Sequence, residues 1–194
     1  AELIAYGADH TCKEALSMAV LNQFPFLSEK YAFKVCRIEP ENNVHLILEA
    51  FSEYSGLNIV MVGNWNNSNY GKQLKLEFNT YDNIYLLDPI YDQHILNQIR
   101  YNCYIYVHGH SAGGTNPSLV EAMYLELPIL AYDVPYNLET THQKALYFND
   151  SKTLTSLLKP VQDHDLVKTS KALKAIADEF YTWDIITKQY ASLF

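Results

Sequence analysis

From residue 31 onward, the apolar positions of this chain switch repeatedly between two spacings. "YAFKVCRI" (31–38) concentrates the aromatic and β-branched residues of a strand. In "NNVHLILEAFSEYSG" (42–56), Val44, Ile47, Leu48, Phe51 and Tyr54 recur at helical spacing, with Asn42-Asn43 placed to cap the start. "LNIVMVG" (57–63) is a short continuous apolar run that predicts a buried strand ending in glycine. The pattern then predicts a helix over 70–78, a strand over 83–88 stopped by Pro89, a helix over 92–102 and a strand over 103–109. A further helix over 117–126 and a strand over 128–133 complete the series.

Strands alternating with helices of about ten residues indicate βαβ units. The fold class expected is α/β: a Rossmann-like parallel sheet with helices on both faces, because continuous apolar strands need cover on both sides. Ligands in such sheets bind beyond the carboxyl ends of the strands. The flanks differ from this centre. Residues 1–30 hold "LIAYGAD" (3–9) and a mixed segment with no clear place in the alternation, and residues 151–194 read as extra C-terminal helices.

Residues 108–122, "HGHSAGGTNPSLVEA", lie at one such strand end. Asn116 suits an N-cap, and Pro117 suits the first helical position, where its missing N–H costs nothing. Gly113 and Gly114 lack Cβ and so permit positive φ and close approach of a ligand to backbone N–H groups. Thr115 completes the turn. A helix start offers unpaired N–H donors and the positive end of the dipole, which together attract an anion. The competing reading is a turn that merely joins strand to helix. The loop has no P-loop lysine and spells no dinucleotide fingerprint.

Several side chains could act with it. Glu121, about one turn into the helix, either balances the dipole or accepts hydrogen bonds from ligand hydroxyls. Arg37, at the end of the first strand, either grips a phosphate bidentately or pairs on the surface with Glu39 or Glu41. His108 and His110 stand two apart and share one side of an extended chain. No nearby residues complete a zinc ligand set with them, so the expectation is no metal and a role as hydrogen-bond donors to a ligand. The polar stretch around Trp65, "NWNNSNYG" (64–71), reads as a lid or a plain loop. No nucleophile elbow or Cys–His pair can be placed, so the catalytic residues stay unassigned.

Composition narrows the partners. The 194-residue chain has a formal net charge of −8, with no basic surplus to displace counterions, so nucleic acid is not an expected partner. The charge leaves room for a small anion at one local site. Its three cysteines form no CxxC pair or disulfide framework, which suits a reducing, cytoplasmic setting. No apolar run approaches the length of a membrane span. The chain opens on Ala1 rather than Met, so a preceding segment is expected.

Taken together, "CRIEPENNVHLILEAF" (36–51), "LNIVMVG" (57–63), "NIYLLDPIYDQHIL" (83–96), "GGTNPSLVEAM" (113–123) and "LPILAYD" (127–133) follow the order of the donor-binding half of a glycosyltransferase with the GT-B architecture. "YTWDIITKQYASLF" (181–194) resembles the closing helices of such enzymes, and "LIAYGAD" resembles the hinge where the chain leaves the first half. "PENN" and the "HGHS-GGTNPSL-EA" run resemble bacterial rhamnosyltransferases of cell-surface polysaccharide synthesis.

The resemblance implies three segments: residues 1–30 as a hinge from an N-terminal half, 31–160 as a nucleotide-sugar-binding domain and 161–194 as C-terminal helices. It implies a donor such as dTDP-rhamnose, no further cofactor, a partner acceptor domain, and a saccharide or lipid-linked acceptor. It also implies a cytoplasmic location, with the full enzyme at the inner face of the plasma membrane as a peripheral protein. By the same resemblance, Arg37 with Gly113, Gly114, Thr115 and Asn116 holds the diphosphate, Glu121 binds the ribose, and His108 and His110 contact the donor sugar. Two departures stand out. Asn42 or Asn43 occupies the place of a diphosphate-binding lysine, and Gly113 that of a sugar-contacting glutamate. The alternative they suggest is a non-catalytic nucleotide-binding module of the same fold.

Overall fold

The computed structural model describes residues 4–159 and 163–193. Six parallel strands form one sheet: β1 (Tyr31–Val35), β2 (Asn58–Val62), β3 (Ile84–Leu87), β4 (Ile105–His108), β5 (Ile129–Tyr132) and β6 (Leu146–Phe148). Their spatial order is β3-β2-β1-β4-β5-β6, the doubly wound arrangement of a Rossmann-like fold. The order reverses between β1 and β4, where Phe33 lies opposite Tyr106.

Nine helices among the described residues surround it: α1 (Met18–Gln23), α2 (Val44–Glu53), α3 (Asn69–Phe78), α4 (Gln93–Tyr101), α5 (Pro117–Tyr124), α6 (Pro135–Thr140), α7 (Ser151–Leu158), α8 (Asp163–Phe180) and α9 (Trp183–Ala191). Successive strand side chains point to opposite faces. Phe33, Val60, Val62, Tyr106, Ile129 and Ala131 pack under α4, α5 and α8 with Leu96, Ile99, Met123, Leu173 and Ala177. Ala32, Ile59, Met61, Ile105, Val107 and Leu130 pack under α2, α3 and α7 with Leu48, Phe51, Leu74 and Leu154. Both faces are therefore covered, which is why the strands read as unbroken apolar runs.

Several helix starts are fixed by capping side chains of the expected types. Asp92 accepts from the backbone N–H groups of His94 and Ile95, and Asn116 accepts from that of Ser118. The start of α2 departs from expectation. Asn43 occupies the cap position in the left-handed conformation (φ 49°) and makes no side-chain cap bond. A short 3-10 turn, Pro40–Asn42, precedes it and redirects the side chains of Asn42 and Asn43 to other work.

Trp65 decides between the lid and the plain loop: it is fully buried and donates from Nε1 to the Leu87 carbonyl at 2.9 Å, so it belongs to a plain loop. Two further differences from the sequence pattern have local causes. The run after β5 contains α6 and β6, too short and too polar at their flanks to show a period. Residues before β1 include α1 and a 3-10 turn, Pro25–Ser28. The segment ahead of them packs against the last helices: Ala8 N–H donates to the Tyr181 carbonyl at 2.7 Å, and Asp9 accepts from the Trp183 N–H at 2.7 Å. Tyr6, Phe180, Trp183 and Tyr190 remain exposed there. Position 160, the expected boundary of the central domain, lies outside the described residues.

Candidate functional site

The carboxyl ends of β1 and β4 diverge at the reversal in strand order and leave a cleft of about 300 Å³. That lies at the small end of ligand-binding cavities. β1 and the turn after it contribute Lys34, Val35, Cys36, Arg37 and Asn42 to its lining. β4 and its loop contribute His108 and His110, the start of α5 contributes Asn116, Pro117, Ser118 and Glu121, and α4 contributes Arg100.

Hydrogen bonds stitch the β1–α2 turn to the β4–α5 loop. Asn42 donates from Nδ2 to the Arg37 carbonyl at 2.9 Å, and its Oδ1 lies 3.1 Å from Nδ1 of His110. Asn43 donates to the Gly109 carbonyl at 2.9 Å. Ser111 donates to the Glu41 carbonyl twice, from its N–H at 2.8 Å and its hydroxyl at 3.0 Å. Asn137 of α6, itself buried, donates to the carbonyls of His110 and Tyr132 at 2.9 and 2.8 Å. These asparagines replace the backbone pairing that the diverging strands lack.

The histidines are held uncharged. His108 is 1% exposed, and neither ring nitrogen has a partner among the described residues. Burial, then the nearby charge of Lys34, holds its pKa well below 6.5. His110 is lowered too, again chiefly by burial. A neutral imidazole with one N–H and one lone pair is suited to bonding a polar ligand group.

The charges around the cleft are mainly positive. Arg37 is 76% exposed at its side chain and lies 3.5 Å from Glu39, the surface pair weighed against a phosphate role. Arg100 and Glu121 form a 2.8 Å ion pair with both side chains largely buried. His10, from the leading segment, also reaches Glu121 at 3.2 Å, while Trp183 donates from Nε1 to the other His10 ring nitrogen at 3.2 Å. The Trp183 bond requires Nδ1 of His10 to accept, which leaves Nε2–H to donate to Glu121.

Arg37, His108, His110, Asn116 and Glu121 are thus brought together around one cleft. The glycines are not. Gly113 and Gly114 adopt φ of +41° and +65°, and a Cβ at either would meet nothing within 4 Å. Gly114 and Thr115 line a second depression of about 290 Å³ with Tyr136, Glu139, Thr140 and Tyr181. Two cleft residues, Lys34 and Arg100, escaped the sequence reading. A lysine inside the apolar run "YAFKV" was the available signal, because it breaks the pattern of a doubly covered strand. Arg100 shares the buried face of α4 with Leu96 and Ile99, a weaker sign of the same kind.

Residues 22–168 match the family described as glycosyl transferases group 1. Among curated proteins, none matches the sequence. Among solved structures, Anabaena HepE in complex with UDP-glucose superposes with a TM-score of 0.79 at 15% identity, over 99% of this chain and 56% of that one. Sucrose-phosphate synthase from Thermosynechococcus elongatus gives 0.75 at 14% identity, over 98% of this chain and 50% of that one. A glycosyltransferase from Rickettsia africae gives 0.77 at 14% identity, over 98% and 55%. The chain therefore spans about half the length of the solved structures it resembles. No helix among the described residues is long and apolar enough to cross a membrane. The fold is that of one half of a GT-B architecture, and by its sequence the chain belongs to the glycosyl transferase group 1 family.

Proposed function

We propose that this chain is the donor-binding half of a glycosyltransferase and that the cleft holds the nucleoside diphosphate of an activated sugar. The observation that carries this reading is the convergence, at the reversal in strand order, of Arg37, His108, His110, the capped start of α5 and Glu121. Binding of UDP-glucose by Anabaena HepE, which shares the fold, supports the same ligand class.

In this reading Arg37 leaves its exposed contact with Glu39 and pairs with the diphosphate, and the N–H groups at the start of α5 complete the cradle. Glu121, oriented by Arg100 and His10, accepts from the ribose hydroxyls. His108 and His110 donate to the sugar. When the bond to the sugar breaks, negative charge grows on the departing diphosphate. Fixed donors aimed at that charge lower the barrier because they bind the transition state more strongly than the ground state. The donor we propose is dTDP-rhamnose and the acceptor a growing cell-surface polysaccharide, with acceptor groups supplied by a second domain. The isolated chain then binds donor without transferring it. A cytoplasmic enzyme working at the inner membrane face fits the same scheme.

Calorimetric titration with UDP, dTDP, GDP and ADP tests the reading. Binding of at least one is expected, and Arg37→Ala weakens it by about 1.5–3 kcal/mol, the size of a charge-assisted hydrogen bond. Absence of binding by all four would remove the proposal. The open surroundings of Gly113 favour a second reading, a nucleotide-binding module without transfer, since no carboxylate stands there. Rhamnosyl transfer by the full-length protein would exclude it.

A further inference from the structure

Three cations line the cleft, and two of them have partners. Arg100 is paired with Glu121 at 2.8 Å, and Arg37 lies out at the rim against Glu39. Lys34 is the third. It is the fourth residue of β1, 1% exposed, and it has no carboxylate or hydrogen-bond partner among the described residues. The titratable groups whose charges it feels are Cys36, His108 and His110, none of which is an acid of ordinary strength.

A buried ammonium with no counter-charge destabilises the fold that holds it. Packing does not call for one, because Ala32, on the same face of β1, and the opposed Met61 are both apolar. An aliphatic side chain would fill the same space at lower cost. The amine stands at the carboxyl end of a central strand, against the cleft, where a ligand can supply the charge that the protein withholds.

We infer that Lys34 is the buried cation that binds the phosphate groups of the donor, and that the diphosphate supplies the counter-charge its surroundings lack. This rests on the donor-site reading above. It assigns to β1 a contact made from beneath the ligand, while Arg37 approaches from the exposed rim. Burial lowers the pKa of Lys34, and a bound anion opposes that shift.

The test uses this whole chain with Lys34→Met and, independently, Lys34→Gln. Thermal unfolding is measured alongside calorimetric titration with the nucleoside diphosphate that binds the wild type most tightly, and with the matching nucleoside. The expected result combines a Tm equal to or above wild type with at least ten-fold weaker diphosphate binding and unchanged nucleoside binding. Lys34→Arg, which retains the charge, is expected to recover part of the loss. A lowered Tm in both neutral variants would mark Lys34 as a structural residue and overturn the inference. So would wild-type diphosphate affinity in both neutral variants while Arg37→Ala still binds weakly, and the donor site would then stand without Lys34. A wild-type chain that binds no nucleoside diphosphate would overturn the donor site itself, and this inference with it.

Discussion

Nη1 of Arg100 lies 2.8 Å from a carboxylate oxygen of Glu121, with the two side chains only 6% and 15% exposed. This ion pair joins α4 to α5 beside the cleft. Removing one member strands a poorly solvated charge, so Arg100→Met and Glu121→Leu are each expected to cost about 3–5 kcal/mol. Arg100→Met/Glu121→Leu strands neither charge and should cost much less than the sum. Urea unfolding of the four proteins gives the coupling, and strictly additive losses below about 1 kcal/mol each would rule out the buried pair.

Acid should weaken the fold through His108. Its folded pKa lies well below 6.5 because the ring is buried, while in the unfolded chain it titrates near 6.5. Below that pH the unfolded state binds a proton that the folded state does not, so stability falls as pH falls, by up to about 1.4 kcal/mol per pH unit from this residue. His110 acts in the same direction. Urea unfolding from pH 7.5 to 5 should show the slope, and His108→Gln should reduce it. An unchanged slope in the variant would count against the buried, neutral ring.

Two glycines near the site should respond to alanine for different reasons. A Cβ at Gly109 would come within 2.4 Å of the Asn42 carbonyl oxygen, which belongs to the turn stitched to the loop. Gly109→Ala should therefore cost about 1–3 kcal/mol by forced movement and also weaken nucleotide binding. Gly113→Ala meets no atom, so its cost of about 1 kcal/mol comes from positive φ alone. Thermal unfolding with parallel titration separates the two cases. Equal losses of binding would show that the loop at Gly113 shapes the cleft as much as the contact between Gly109 and the turn.

The sheet was legible because its strands are covered on both faces and its helices on one, which writes two different periods into the sequence. β6 has only three residues, and α6 has only Leu138 as an aliphatic residue, so neither leaves a usable period. Within the site, Arg37, His108, His110, Asn116 and Glu121 were accessible from their positions at strand and helix ends. The partners that set their charge and orientation were not. Arg100 meets Glu121 across α4 and α5, and His10 comes from the opposite end of the chain, so only the tertiary fold brings them together. Positive φ at Gly113 and Gly114 was foreseeable from glycine itself, whereas their distance from the main cleft depends on the path of the loop.

The pairing of Phe33 with Tyr106 also has a kinetic consequence. β1, β2 and β3 are neighbours both along the chain and in the sheet, so that half can pair by closing comparatively short loops. β4 must then return to β1 from the far side of β3 and α4, and that single long-range closure creates the cleft. A nascent chain that ends before β4 can build half the sheet and no site at all. Ligand binding during refolding should accordingly appear in the slow phase that tracks the β1–β4 contact, behind the burial of Trp65 against the end of β3.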